Sequence, residues 1–300
     1  METKQKEKYM IPEFLEKLLI NQYGKDLTNK ILEGYKTKRN PSLRINSIKT
    51  NKEKIKKELD KINIKYKDVN WYEDALILEN DNIRELDIYK NGEVYMQNLS
   101  SMIPPIVLEP KQEKILDMAA SPGGKTTEIY NLSNKEALIT AVEKNPIRSQ
   151  RLKYNLEKQG TNATILNEDA TKLDEFYRFD KILLDAPCSG SGTLNIYDKS
   201  LEHFSEKLLN NCIKTQEQLL EKALQILKKD HIMVYSTCSI IYEENEKQLE
   251  KLIQQNKIEI IPIDDIFEDM PKLPTKIKGT ICVCPNNLYE GFFISKIKKL

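Results

Sequence analysis

The chain has 300 residues, of which 39% are hydrophobic and 31% charged, with a net charge of +1. That is enough apolar material for one large core or two ordinary ones, and too much for a disordered chain. No apolar run reaches membrane-spanning length, Met1-Glu-Thr-Lys-Gln-Lys6 lacks a signal-peptide core, and five cysteines are an odd set for a disulfide framework, so a soluble cytoplasmic protein with free thiols is expected.

The near-zero net charge conceals an asymmetry: residues 1–70 hold 18 Lys/Arg against 10 Asp/Glu, and the remainder 29 against 36. A basic first segment suits a polyanionic partner, but it can equally be a solvated lysine-rich surface. Ile11, Phe14, Leu15, Leu18 and Leu19 recur at helical spacing, with Pro12 suited to a first turn. Leu27, Ile31, Leu32 and Tyr35 continue the pattern past Gly24, and Asn40-Pro41 breaks it. Leu43-Arg-Ile-Asn-Ser-Ile48 alternates like a strand. Thr50-x-x-Glu53 is a capping-box pattern, opening a helix with Ile55, Leu59 and Ile62 on one face and Lys54, Lys57 and Lys61 elsewhere. Strands are expected at 75–79 and 93–96. Residues 1–95 therefore read as a small mixed α/β domain. If its basic balance serves a polyanionic partner, then Arg44, Lys54 and Lys57 are the candidate phosphate contacts.

Residues 96–300 read as a second domain, which Gln97-Asn-Leu-Ser-Ser-Met-Ile-Pro-Pro105 leads into. Strands are expected at 114–118, 138–143, 163–168, 181–185 and 231–236, with helices at about 125–132, 146–159 and 205–228 between them. Asn145-Pro146 supplies a cap and a first-turn proline, and Gly160 a C-terminal glycine. A helix at 243–255 and strands at 280–284 and 291–297 close the chain. This alternation predicts an α/β fold with a doubly wound, mainly parallel sheet, whose ligands bind beyond the carboxyl ends of the strands.

Those ends carry the chemistry. Lys114-Ile-Leu-Asp-Met-Ala-Ala-Ser-Pro-Gly-Gly-Lys-Thr-Thr127 reads as strand, glycine turn and helix, which presents backbone N–H groups to a nucleotide-like ligand. The next strand ends in Glu143, 20 positions past Gly123, the spacing at which an acid meets ribose hydroxyls. The third ends in Asp169, placed for the base, and the fourth in Asp185-Ala-Pro-Cys188. One acid at a strand end is usually a helix cap or a solvated loop residue; three facing one crevice suggest a nucleoside site. Gly124-Lys-Thr126 ends like a phosphate-binding loop, but that pattern needs glycine where the chain has Ala119, and Pro122 removes an N–H from the cradle. A methyltransferase using S-adenosylmethionine needs the turn and the ribose acid without that cradle.

The cysteines separate the two. Carbon 5 of cytosine takes a methyl group only after a thiolate adds to carbon 6, which is covalent catalysis. Cys212, beside Leu208, Leu209 and Ile213, reads as a small buried hydrophobe. Cys188 and Cys238 sit among small polar residues just beyond apolar strands. Cys282-Val-Cys284, with only His203 and His231 to help, is a poor metal set, so no metal is expected.

With these residues in view, the sequence resembles the RsmB/Sun (Nol/Nop/Sun) family of RNA cytosine-5 methyltransferases. The resemblance runs from Gln97-x-x-Ser-Ser101 to Gly291-Phe-Phe-Ile-Ser-Lys296. It rests on Asp117-Met-Ala-Ala-Ser-Pro-Gly-Gly-Lys-Thr126, Asp185-Ala-Pro-Cys-Ser-Gly-Ser-Gly-Thr193 and Tyr235-Ser-Thr-Cys-Ser-Ile240 followed by Glu243-Glu-Asn-Glu246, and Ser42-Leu-Arg-Ile-Asn46 adds to it. It implies a Rossmann-like methyltransferase sheet of seven strands, the last antiparallel, behind an RNA-binding N-terminal domain. It implies S-adenosylmethionine contacts from Ala119, Ala120, Ser121, Pro122, Gly123, Gly124, Lys125, Glu143, Asp169 and Asp185. It implies Cys238 as nucleophile, Cys188 assisting release of the methylated base, and Asp185 against the cytosine ring. Ser121, Glu143 and Tyr242 depart from the usual alanine, aspartate and proline, and Cys282 stands where arginine is expected. The reading is a monomeric enzyme acting on ribosomal or transfer RNA. The alternatives are a DNA cytosine-5 methyltransferase using Cys188 as nucleophile, which leaves Cys238 unexplained, and a non-catalytic RNA-binding assembly factor.

Overall fold

The computed structural model describes residues 10–263 and 265–300. The Met1–Lys6 stretch and part of the basic surplus lie outside the described residues. Helix α1 (Glu13–Tyr35) is followed by β1 (Ser42–Ile45), α2 (Lys52–Lys61), β2 (Tyr66–Asp68), β3 (Ala75–Leu78), α3 (Asp87–Lys90) and β4 (Val94–Met96). The four strands form one antiparallel sheet in the order β2-β3-β1-β4. Leu43, Ile45, Leu76 and Leu78 from this sheet enclose a small core with Ile55 and Leu59 of α2. The capping expectation is corrected by one residue: Asn51, not Thr50, caps α2, accepting from the Lys54 N–H at 3.0 Å.

Helix α1 does not pack on this sheet. It turns at Gly24, whose φ of 76° is unfavourable for any residue with a Cβ. Its buried Leu15, Leu19, Ile31 and Tyr35 join the core of the larger unit instead. Tyr35 Oη donates to the Ser191 carbonyl at 2.6 Å, and Tyr23 Oη to that of Ile240 at 2.6 Å. A boundary at residue 95 therefore does not divide the packing.

The second part continues α4 (Leu99–Leu108), β5 (Lys114–Asp117), α5 (Gly124–Leu132), β6 (Leu138–Val142), α6 (Pro146–Gln159), β7 (Ala163–Leu166), β8 (Phe179–Asp185), α7 (Ser200–His203), α8 (Glu206–Ile226), β9 (Leu227–Thr237), α9 (Glu246–Gln254), β10 (Ile258–Ile261), β11 (Lys272–Leu273), β12 (Ile281–Val283) and β13 (Phe292–Lys299). Its sheet runs β11-β12-β13-β9-β8-β5-β6-β7, with β10 also on β13. The block β7-β6-β5-β8-β9 is parallel, and β13 adds to β9 antiparallel, as expected of the last strand. The strand count is nine rather than seven. Two short strands were not foreseen: β10 pairs with the C-terminal half of β13, and β11 extends the edge beyond β12.

Side-chain alternation along the strands divides the core into two layers. Leu183, Val234 and Ile294 face α4 and α5, while Ile182, Leu184, Met233, Tyr235 and Phe293 face α1, α8 and α9. The segment that leads into the larger domain is helical, α4, with Pro104-Pro105 inside it. Burial of Met102, Ile103, Val107 and Leu108 holds it helical despite the missing N–H groups.

The expectation for Arg44 is overturned. Arg44 is 0% exposed and faces the joint between the two sheets, not solvent. Its guanidinium donates to Gln97 Oε1 at 3.1 Å, Gly124 O at 3.2 Å and Thr127 Oγ1 at 2.6 Å, and lies 3.8 Å from Glu128. It ties β1 to the first turn of α5 and cannot reach a phosphate. Lys54 and Lys57 are exposed, with Lys54 paired to Glu93 at 2.7 Å.

Candidate active site

The carboxyl ends of β5, β8 and β9 meet where the strand order reverses around β5. After β5, the Met118 N–H donates to Leu183 O and the Ala120 N–H to Val142 O, both at 2.9 Å, so neighbouring strands hold the turn. Gly123 then takes φ 108°, and α5 starts at Gly124, where an added Cβ would lie 3.1 Å from the Tyr95 ring. Lys125 is carried inward by the first turn of α5. Its ammonium lies 2.7 Å from Asp185 Oδ2 and donates to Ser101 Oγ at 2.7 Å. Burial works against this charge, but the Asp185 carboxylate outweighs it and raises the lysine pKa, with Asp117 and Cys238 adding to the effect.

A cleft of about 270 Å³ opens over this turn, lined by Ala119–Pro122, Gly124, Lys125, Asp185 and, from outside the expected set, Tyr95, Gln97, Asn98, Ser101, Asp117 and Glu290. A larger cavity of about 690 Å³ lies along the β2–β3 edge, but its walls carry no thiol and no glycine turn, so size does not identify the site. Burial raises Asp117 from near 3.8 to about 6, although Thr126 Oγ1 donates to it at 2.6 Å. Gln97 and Ser101 lie in a motif that the sequence displays. Glu290 gave no signal, because only the fold brings its loop to the cleft.

Glu143 and Asp169 stand beyond β6 and β7 and do not line this cleft. Glu143 is buried, accepting from the Asn145 N–H at 2.8 Å and pairing with Arg148 at 3.3 Å. Asp169 caps a short 3-10 turn, accepting from Thr171 N at 3.0 Å and Oγ1 at 2.8 Å. Ser121 and Pro122 are tethered to α6: Ser121 Oγ donates to Arg148 O at 2.9 Å, and Asn155 Nδ2 to Pro122 O at 2.8 Å.

The register of β8 and β9 brings the cysteines together. Asp185 is paired with Ser236, and Ser236 Oγ donates to Asp185 Oδ1 at 2.8 Å. Three residues beyond Asp185 and two beyond Ser236, the sulfurs of Cys188 and Cys238 lie 2.9 Å apart, both half-buried. The loops behind them are laced together. The Gly192 N–H donates to Cys238 O at 3.0 Å, and the Gly291 N–H to Gly192 O at 2.8 Å. A Cβ on Gly192 would stand 2.0 Å from Gly291 O, so only glycine fits there. The hydrogen bond shared with Cys238, then burial, push the Cys188 thiol well up and hold it protonated at neutral pH. Cys212 is buried on α8. Cys282 is buried in β12, its sulfur 3.7 Å from Tyr23 Oη. Among the described residues no three His, Cys, Asp or Glu side chains gather as metal ligands.

Comparison with known proteins identifies the family. Residues 105–298 match the family described as 16S rRNA methyltransferase RsmB/F, and residues 11–83 match its RsmF/B-like ferredoxin-like domain. The chain is 32% identical over 275 residues to ribosomal RNA small subunit methyltransferase F of Shewanella piezotolerans, covering 87% of this chain and 58% of the relative. It is 35% identical over 222 residues to the tRNA (cytosine(72)-C(5))-methyltransferase of Pyrococcus horikoshii, covering 73% and 55%. The chain thus spans a little over half the length of these curated relatives. A crystal structure of a methyltransferase homologue from Pyrococcus horikoshii superposes with a TM-score of 0.81 at 30% identity, over 97% of this chain and all of that one. With the family matched across nearly the whole of the larger unit, the chain belongs to the RsmB/F family of RNA methyltransferases.

Proposed function

We propose that the protein methylates carbon 5 of a cytosine in structured RNA, ribosomal or transfer, using S-adenosylmethionine and a covalent adduct to Cys238. The observation that carries this reading is the pair of sulfurs 2.9 Å apart, beside a lysine–aspartate pair that also walls the cleft. A second reading, with Cys188 as nucleophile, leaves Cys238 without a role.

The cleft suits this cofactor better than a triphosphate. Its walls hold Asp117, Asp185 and Glu290 against one lysine, and that lysine is already committed to Asp185 and Ser101. Such a set favours a cation over a polyanion. The 119–125 turn, Asp117 and Asp185 would hold the cofactor, and Glu143 and Asp169, beyond β6 and β7, would meet it from outside the cleft walls. When bound, S-adenosylmethionine supplies an electrophilic methyl group.

The chain's own residues do the rest. Cys238 attacks as the thiolate, the nucleophilic form of a cysteine. That sulfur bonds to carbon 6 of the cytosine, and the electron pair of the 5,6 double bond becomes available at carbon 5, which takes the methyl group. Loss of the carbon 5 proton to solvent restores the double bond as the sulfur–carbon bond breaks, its electron pair returning to Cys238. Cys188, held as a thiol, donates a hydrogen bond to the departing thiolate. Asp185 orients Lys125 and stands beside the ring.

The test is a denaturing gel of protein mixed with S-adenosylmethionine and RNA from a strain lacking the gene. Cys188→Ala should accumulate a denaturation-resistant protein–RNA complex, and Cys238→Ala should form none. The reverse pattern supports Cys188 as nucleophile. Activity retained in both variants without an adduct excludes covalent catalysis, and no methylation by the intact protein supports a binding role. Bisulfite sequencing of the same RNA identifies the cytosine.

A further inference from the structure

Glu244 and Asn245 are both 0% exposed, and no described lysine or arginine lies within 4.0 Å of the Glu244 carboxylate. A buried carboxylate without a cation is costly unless donors surround it. Those donors come from the residue after Cys188: Ser189 N–H donates to Glu244 Oε1 at 2.7 Å, and Ser189 Oγ to Oε2 at 2.6 Å. Gln216 of α8 donates to Glu244 Oε1 at 3.2 Å and to the carbonyl of Pro187, just before Cys188, at 2.9 Å. Asn245 does the same for the other cysteine. Its Oδ1 accepts from Thr237 Oγ1 at 2.6 Å, and its Nδ2 donates to Ser239 O at 3.0 Å. Tyr235 Oη, donating to Glu244 O at 2.6 Å, fixes the pair from the sheet.

Two consecutive residues therefore grip the peptides flanking both sulfurs. We propose that Glu244 and Asn245 are positioning residues forming a two-armed brace that sets the distance between Cys188 and Cys238, the Glu244 arm serving release of the methylated base and the Asn245 arm serving attack. The proposal rests on the covalent reading given above. The carboxylate accepts from the Ser189 N–H, the Ser189 hydroxyl and the Gln216 amide at once, which a glutamine at 244, with one acceptor oxygen, does not match. The charges of Cys238 and Glu244 act on Cys188, those of Glu244 and Cys188 act on Tyr235, that of Glu244 acts on Cys212, and Asp185 and Cys238 both act on Lys125. Burial pushes the Glu244 carboxyl up, its donors pull against that, and in its charged form it disfavours a thiolate at Cys188.

The brace predicts a split that a merely structural role does not produce. Single-turnover assays with S-adenosylmethionine and RNA from the deletion strain separate adduct formation from release. Glu244→Gln loses a charge-assisted hydrogen bond, so release should slow roughly tenfold or more while formation is little changed. Alkylation of Cys188 should also move to lower pH in that variant. Asn245→Ala should slow formation by a similar factor and leave the release of preformed adduct near the wild-type rate. Gln216→Met tests the Glu244 arm if Glu244→Gln does not fold, and Glu244→Asp should recover part of the release rate. If Cys188→Ala traps an adduct while the Glu244 and Asn245 variants match wild type, or slow both steps equally in proportion to lost melting temperature, the brace is wrong. If neither wild type nor Cys188→Ala gives an adduct, the covalent reading fails, and the brace with it.

Discussion

The two halves of the crevice are built differently. Around the cysteines, Ser189, Ser191, Thr237, Ser239, Glu244 and Asn245 are all buried, and their polar groups are bonded to one another. Around the glycine turn, Glu143 leans on an Arg148 that is 54% exposed, Asp169 is half-buried, and the cleft is open to solvent. A nucleophile has to be in place before substrate arrives, so its surroundings are satisfied internally. A site for an exchanging small molecule has to leave polar groups for the ligand to use. The contrast makes predictions: substitutions in the first half should damage chemistry or folding, and those in the second should shift affinity.

The largest effect belongs to the closed half. Cys238→Ala should bring methyl transfer from labelled S-adenosylmethionine below detection while cofactor affinity by calorimetry is unchanged. A clear drop in affinity would mean that the two halves are not separable. Next comes the joint between them. Arg44→Ala removes the buried hydrogen bonds to Gln97, Gly124 and Thr127, each worth roughly 0.5–1.5 kcal/mol, and should lower the denaturation midpoint. Glu128 is already pushed up to about 8 by burial, which Arg44 only partly offsets, so the variant should keep this group protonated to still higher pH. Unchanged stability with weaker RNA binding would restore Arg44 as a phosphate contact.

Asp117 sharpens the comparison because it belongs to the cleft yet is fully buried. Its folded value of about 6 lies above its ordinary value near 3.8. The folded chain therefore holds this proton more tightly, and stability should fall as pH rises from about 4 to 6, with the full cost of roughly 3 kcal/mol present above that window. Asp117→Asn should remove this slope and melt higher at pH 7, less whatever the Thr126 hydrogen bond contributes. A slope that survives the substitution would assign the effect elsewhere.

How much of this was legible depended on the range of the interaction. The turn at 119–125, the cap at Asn145 and the cysteine-bearing strand ends are local patterns, and the structure has them where the sequence placed them. The sequence also displayed Glu243-Glu-Asn-Glu246 as a motif, but nothing in it says that Glu244 bonds to Ser189, 55 residues earlier. Arg44 failed for a related reason. A count of lysines and arginines cannot separate a solvated charge from one whose partners Gln97, Gly124 and Thr127 arrive from another domain. Strands β10 and β11 are short elements whose partners, β13 and β12, come later in the chain.

In the open half the effects should be smaller. Asp169 caps the turn after β7, and if its carboxylate also meets the cofactor, Asp169→Ala should weaken S-adenosylmethionine binding by roughly 0.5–1.5 kcal/mol in calorimetry, with turnover at saturating cofactor retained. No change in affinity removes Asp169 from the cofactor site, and loss of turnover instead makes that half part of the chemistry.

The smallest effect lies outside both halves, on the exposed face of α2. Lys57 is solvent-exposed, and Lys54, also exposed, is paired to Glu93 at 2.7 Å. An exposed pair of this kind is worth about 1 kcal/mol or less, so neither substitution should move stability by more than that. If this face meets phosphates, each contact releases condensed counterions, and removing one should lower the slope of log affinity against log salt by about 1. Lys57 is the cleaner probe, because Lys54 would have to exchange a carboxylate for a phosphate and would gain less. Lys57→Ala should therefore flatten the salt dependence more than Lys54→Ala, with an unchanged adduct yield at saturating RNA. Equal and undiminished slopes in both variants, and in the double variant, would place the RNA on another face and leave the lysine-rich surface of α2 as a solvated one.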